Sequence, residues 1–407
     1  MRQRNYPVIR LMLSFLFIFF SNFASAQSVS ILYTFTGEQD GANPTSPLLL
    51  THAGSLIGAA QGGGGNGNGT VFQLTPGARG WTLNVLHSFL GHTDGVLPNG
   101  PIIRDRQGNL YGTTFKGGAF GQGEVFELTR GSDGTWTNNI LYSFTGGDDG
   151  GEPASGLVFD KHGNLFGTAG NGKYERGVVF ELSPNGDGTW TESVLHAFMP
   201  LGDGKNPGGR LVLDRAGNLY GVTVVATDSN QGIVFRLSPD GSGGWTESVI
   251  YSFQGGSGGG EPTSGLILAG NTLYGTTFIG GDLSCNPPNG CGGVFQLRPN
   301  GSGGWNEEVI FPFSGGANGA FPRGVIADSS GNLYGETVGT PFGDANLVFE
   351  LVKGSNEQWT EKVLYTVATD GKDFLSGGLV LDSSGNLFGT TGTEGPQLAG
   401  TVFEVMP

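Results

Sequence analysis

Short runs of alternating apolar and polar residues, each closed by glycine-rich punctuation, follow one another along nearly the whole chain. The stretch from Gly156 shows the unit. Gly156-Leu157-Val158-Phe159-Asp160 has the content of a short strand, Lys161-His162-Gly163-Asn164 reads as a turn, and Leu165-Phe166-Gly167-Thr168 resumes the strand pattern. After a glycine-rich connection, Gly177 to Leu182 gives a third strand, Pro184 to Gly188 a second turn, and Trp190 to Phe198 a fourth strand. Period-two alternation bounded by turn formers predicts short antiparallel strands rather than long helices.

The unit recurs seven times. Its second strand centres on Tyr111, Phe166, Tyr220, Tyr274, Tyr334 and Phe388, with a diverged copy at Ser55-Leu56-Ile57-Gly58. Its third strand centres on Phe72, Phe126, Phe180, Phe235, Phe295, Phe349 and Phe403, about 54 residues apart and wider around Cys285 to Cys291. Trp81, Trp136, Trp190, Trp245, Trp305 and Trp359 open six of the fourth strands, and the chain ends before a seventh. The missing strand is found at the other end, as Ile31-Leu32-Tyr33-Thr34-Phe35. Gly377 to Asp382, Asn386 to Thr391 and Thr401 to Val405 would join it to complete the last blade. The expectation is an all-β, seven-bladed β-propeller with four-stranded blades, the N-terminal strand completing the last blade. Closure removes the exposed strand edges that an open array would leave. A stacked solenoid is the alternative, but it calls for terminal caps, whereas these ends are complementary pieces of one blade.

The GNLYG/GNLFG and G-x-VFEL motifs, repeated through nearly all of residues 27–407, resemble the choice-of-anchor tandem repeat family called GloVer. That resemblance implies an exported bacterial repeat protein. Members often carry a C-terminal sorting segment, but this chain ends at Val405-Met406-Pro407, so a free exported form is expected. The Asp105-x-x-Gly108-Asn109-Leu110-Tyr111 turn, with Asp160, Asp214 and Asp382 at matching positions, is more weakly similar to NHL and virginiamycin-lyase-like propellers. It speaks for the architecture more than for a lyase activity.

The N-terminus changes the picture of location. A basic region ending at Arg10, an apolar stretch from Leu11 to Phe20 and Ala24-Ser25-Ala26 predict a cleavable secretory signal peptide at 1–26. The apolar stretch is short for a membrane span. A single propeller domain at 27–407 is then expected to be secreted or extracellular, or periplasmic, without a mature transmembrane segment. The formal charge of −15, with no compensating basic run, argues against nucleic acid as a partner. Cys285 and Cys291 are the only cysteines, and in an exported chain they are expected to form a disulfide closing the NPPNG loop.

Chemistry is thinly marked. If the strands run from the inside of each blade outward, the inter-blade loops and the loops between middle strands share one rim and form a polar bowl. Ligand-binding candidates from the first class are Asp94, Asp149, Asp203 and Asp370, and from the second Lys116 and Thr168. Such groups hold sugar hydroxyls, water or a cation, although Asp beside Gly and Pro more often closes a turn. Asp105, Asp160, Asp214, Asp328 and Asp382 are expected to lock hairpins at the opposite rim. His87 and His196 replace the tyrosine of the outer-strand motif, as in Tyr33 and Tyr142, which points to a structural role. No nucleophile elbow, phosphate loop or metal constellation is recognisable, so no catalytic residue, metal or cofactor is assigned. The leading expectation is an extracellular or envelope-associated binding or scaffold protein, taking a glycan or cell-envelope polymer at one rim. A protein partner is the nearest competitor. A carbohydrate-active hydrolase or lyase using the central bowl is the enzyme alternative, requiring two suitably spaced acids or a His-centred metal site.

Overall fold

The computed structural model describes residues 28–153, 155–200, 202–225, 231–339, 345–367, 375, 377–393, 395 and 397–407. Residues 1–26, predicted from the sequence as a signal peptide, and the candidate Asp370 lie outside the described residues. Seven antiparallel sheets of four strands follow in chain order, with a short extra strand in the fifth. Blade 1 is Leu49–Leu50, Leu56–Ala60, Thr70–Gly77 and Gly80–Ser88, and the pattern repeats to blade 6, which ends at Trp359–Val367. Blade 7 takes Val380–Leu381, Leu387–Thr391 and Thr401–Met406 from the C-terminus and Ser28–Thr34 from the N-terminus. Ser28 faces Met406 and Thr34 faces Thr401, so the ring closes as the sequence predicts. A seven-bladed β-propeller is the observed fold.

Two repeated side chains explain the packing. The third-strand phenylalanine of every blade is buried, and its ring lies against the second-strand glycine. A Cβ on Gly167 would meet Phe180 Cζ at 2.5 Å, and on Gly389 would meet Phe403 Cζ at 2.4 Å. The glycine of GNLYG is therefore there for space. The phenylalanine closing six of the outer strands reaches into the next blade, with Val367 in its place in blade 6. Phe35–Phe72, Phe89–Phe126 and Phe144–Phe180 are edge-to-face pairs with centroids 5.1, 5.3 and 5.1 Å apart. Each such contact adds roughly 0.5–1.5 kcal/mol beyond area burial. The outer-strand tryptophans tie backwards, as in Trp190 against Tyr111 of blade 2 and Trp305 against Tyr220 of blade 4.

The first strand of each blade is innermost, and the second strand packs against the first strand of the next blade. The first-strand segments of neighbouring blades also approach closely: a Cβ on Gly156 would sit 2.4 Å from the Pro101 ring, and one on Gly209 would sit 2.0 Å from the Gly265 nitrogen. Inter-blade and middle-strand loops consequently lie on one rim, and the tight hairpins on the other.

Candidate functional site

The loops entering the innermost strands build the first rim. In six blades the residue just before the first strand's proline has a left-handed backbone without being glycine. These residues are Asn43, Leu97, Glu152, Asn206, Glu261 and Phe321, with φ between 52 and 56°. The seventh equivalent, Phe374, lies outside the described residues. Each backbone N–H donates across to the preceding blade. Leu97 donates to the Asn68 carbonyl at 3.1 Å, Glu152 to Gln122 at 2.7 Å, Asn206 to Arg176 at 2.9 Å and Glu261 to Gln231 at 2.6 Å. These blade-to-blade bonds hold the unusual conformation. A residue before proline ordinarily prefers extended backbone, and a left-handed non-glycine residue costs of order 1–3 kcal/mol.

The side chains of this ring lie at the entrance to the innermost strands and comprise two amides, two carboxylates and two apolar groups. Asn43 and Asn206 are exposed, Glu152 and Glu261 half-buried. Neighbouring amides link the blades: Gln61 Nε2 donates to Asn99 Oδ1 at 3.4 Å, and Asn171 Nδ2 to Gln122 Oε1 at 3.5 Å. Lys116 reaches Glu152 at 3.4 Å, both partly solvated. Phe321 is buried and stacks on Phe278 with centroids 4.6 Å apart.

The predicted carboxylates share this rim but sit further out. Asp94 accepts from the Leu90 and Gly91 N–H groups at 2.7 and 3.1 Å and contacts His87 Nε2 at 2.8 Å. Asp149 accepts from Tyr142 OH at 3.0 Å and from the Thr145 N–H at 2.8 Å. Asp203 contacts His196 Nε2 at 3.0 Å and the Met199 N–H at 3.0 Å. Asp40 repeats the arrangement with Tyr33 and Thr36. In these four loops a carboxylate seven residues after the outer-strand Tyr or His thus bolts the loop to its blade, which places His87 and His196 in the role expected for them, whereas the corresponding positions after Tyr251 and Phe311 are Gly258 and Asn318. Thr168 is buried, with its Oγ1 2.6 Å from Ser155 Oγ, so it joins the first and second strands of blade 3.

Blade 6 breaks the pattern. Where other second strands carry Thr113, Thr276 or Thr390, it carries Glu336, wholly buried. Glu336 Oε2 accepts from the Gly378 N–H of blade 7 at 3.0 Å, whereas Oε1 has no partner among the described residues. Burial pushes this carboxyl up to about 8, outweighing its bond to Gly378 and the charge of Arg323. A second set of acids, Glu192, Glu247 and Glu361, occupies one position of the outer strands, beside the preceding blade. Burial pushes each up to about 7, helped by Asp149 for Glu192 and by Asp203 for Glu247.

On the opposite rim, Asp105 accepts from the Gly108 and Asn109 N–H groups, and Asp160, Asp214, Asp328 and Asp382 do likewise in their own hairpins. Two open clefts lie on this rim. One of about 940 Å³ spans the inner hairpins of blades 1, 2 and 3. The other, about 920 Å³, lies between blades 4 and 5 against Arg215, Arg236 and Trp305. The sequence expectation of one bowl on the loop-bearing rim did not include them. Comparing turn positions across the seven copies is the signal that would have found them.

Cys285 and Cys291 stand at bridging distance, with Cα atoms 5.8 Å apart. The Cys291 carbonyl accepts from the Phe321 backbone N–H at 2.8 Å, so the bridged loop supports the blade 5–6 junction. Among the described residues no three His, Cys, Asp or Glu side chains are grouped to hold a metal ion, and no helix is long and apolar enough to cross a membrane.

No curated protein matches the chain. Among solved structures, a polysaccharide lyase of family PL25, an ulvan lyase bound to -[GlcA(1-4)Rha3S]-, is 11% identical with a TM-score of 0.56, covering 91% of this chain and 94% of its own. The soluble aldose sugar dehydrogenase of Escherichia coli is 12% identical with a TM-score of 0.44, covering 94% of this chain and 99% of its own. At such identity the likeness to the lyase shows the propeller fold alone. The Gloeobacter/Verrucomicrobia repeat model matches four overlapping stretches, residues 18–227, 82–286, 169–346 and 209–407, and the chain therefore belongs to the Gloeobacter/Verrucomicrobia repeat family.

Proposed function

We propose that the protein is an exported binding propeller that holds a glycan at the amide-rich rim around its innermost strands. The observation that carries this reading is the left-handed ring. Glycine would adopt that backbone without strain, and this chain uses 78 glycines elsewhere. Yet the ring keeps Asn43, Leu97, Glu152, Asn206 and Glu261. Positions whose backbone repeats while the side chain varies are how a repeat fold presents a ligand surface. Amides both donate to and accept from hydroxyls, carboxylates accept from them, and Leu97, 37% exposed, offers an apolar contact for a sugar ring. In this reading Lys116 and Glu152 contact the ligand, while Asp94, Asp149 and Asp203 hold the loops that present it.

The test is a panel of neutral and acidic cell-envelope glycans, read by calorimetry and by product analysis together. Saturable binding without product supports the reading, cleavage moves the hydrolase or lyase alternative ahead, and no binding to any glycan sinks both.

A further inference from the structure

The cleft of about 940 Å³ on the hairpin rim has a charge character the sequence does not suggest. His52, Arg104, Arg106, Lys161 and His162 line it, and all five are exposed. They come from the inner hairpins of blades 1, 2 and 3. The equivalent turn positions in blades 5, 6 and 7 carry Gly270 and Asn271, Ser329 and Ser330, and Ser383 and Ser384. Blade 4 carries Arg215, which lines the other cleft, so the basic copies are the consecutive blades 1 to 4 and the neutral ones blades 5 to 7, and the cleft collects the basic side chains of blades 1 to 3.

These cations, like most lysines and arginines among the described residues, are not consumed by ion pairs. The chain has 35 acidic against 20 basic residues, so a lysine or arginine has carboxylates in excess to choose from. Arg104, Arg106 and Lys161 nonetheless enter none of the ion pairs among the described residues. Asp105 adjoins Arg104 and Arg106 in sequence and Asp160 adjoins Lys161, but the carboxylate oxygens accept turn hydrogen bonds instead. Asp105 takes the Gly108 N–H at 2.7 Å and Asn109 Nδ2 at 2.9 Å, and Asp160 takes the Asn164 N–H at 2.9 Å and Asn164 Nδ2 at 3.1 Å. Asp105 and Asp160 also line the cleft, but their oxygens are engaged in the turns, whereas Arg104, Arg106 and Lys161 are exposed beside them. Half-buried Phe159 adds an aromatic surface to the wall.

We infer that this cleft is a second binding site, for a chain segment of an acidic polysaccharide bearing carboxylate or sulfate groups. Separated cations beside an aromatic wall match a polymer that presents a charge on some sugars and a ring face on others. A denser polyanion fits less well: duplex nucleic acid carries one charge per roughly 1.7 Å of axis, and a protein of net charge −15 repels it beyond the cleft. The site is independent of the glycan reading at the other rim.

The test uses the full chain with fluorescently labelled polygalacturonate, dextran sulfate, neutral dextran and single-stranded DNA, read by anisotropy across a salt series. Saturable binding of either acidic polysaccharide is expected, weakening as salt rises. R104E/R106E/K161E should reduce that affinity by roughly tenfold or more, and S329E/S383E on the neutral side of the same rim should retain it. Both variants should keep the wild-type melting temperature, since every substituted residue is exposed; Arg106→Ala with Lys161→Ala gives a milder check. Equal binding of neutral dextran, tighter binding of DNA, or unchanged affinity in both cleft variants would overturn the inference.

Discussion

Replacing Glu336 with Gln separates the cost of a buried acid from the geometry it occupies. Glu336 is wholly buried and has one oxygen without a partner, and its carboxyl is pushed from an ordinary 4.5 to about 8. The folded state therefore binds a proton that the unfolded chain releases near pH 4.5. Stability from this group is fully present below that value and is lost as pH rises toward 8. A shift of this size corresponds to a ceiling of roughly 4–5 kcal/mol, and relaxation around the ionised group would reduce it. Gln keeps the shape and the acceptor for the Gly378 N–H, but its amide nitrogen lacks a partner, at a cost of roughly 1–3 kcal/mol. In urea unfolding, E336Q should be equal to or less stable than wild type at pH 4.5 and more stable at pH 8. The difference between variant and wild type should move by several kcal/mol across that range. A difference that stays constant with pH would refute the reasoning, because no proton would then be linked to folding at this position.

Other perturbations follow from the blade contacts. Glu192, Glu247 and Glu361 are raised to about 7, so wild-type melting temperature should fall as pH rises from 5 to 8. The triple Gln variant should flatten that profile, and an unchanged slope would count against the outer-strand acids. Gly167→Ala places a Cβ 2.5 Å from Phe180 Cζ, and the resulting overpacking should cost about 1–3 kcal/mol. A neutral urea midpoint would mean that the ring can move aside.

The blade count, the strand order and the N-terminal closure were all legible in the sequence, because each rests on short-range alternation and on seven copies that align with one another. The hairpin acids were equally readable, since Asp105 and its counterparts bond within four residues. The bolting of Asp94, Asp149 and Asp203 to Tyr or His needed the fold. The outer strand contains a bulge, as between Val125 and Phe126 against their partners, which shifts the pairing register near the ring. The left-handed ring was hidden for a different reason. Asn43-Pro44 or Glu261-Pro262 reads as extended backbone, and only the bond to the preceding blade reveals otherwise. Nothing in the strand pattern sets Glu336 apart, and only the packing shows that it is buried. The cationic cleft gathers residues as far apart as His52 and His162, which the sequence separates by two whole repeats.

The ring at the loop-bearing rim bears most directly on function, and glycine substitution tests it in both directions. Leu97→Gly, Glu152→Gly and Glu261→Gly combined would relieve three left-handed side chains while keeping the backbone they occupy. The expected result is a melting temperature equal to or above wild type, because relief of strain offsets the added flexibility, together with loss of glycan binding measured on the same samples. A marked loss of stability with binding intact would contradict the reading, since those side chains would then be holding the propeller together rather than facing a ligand.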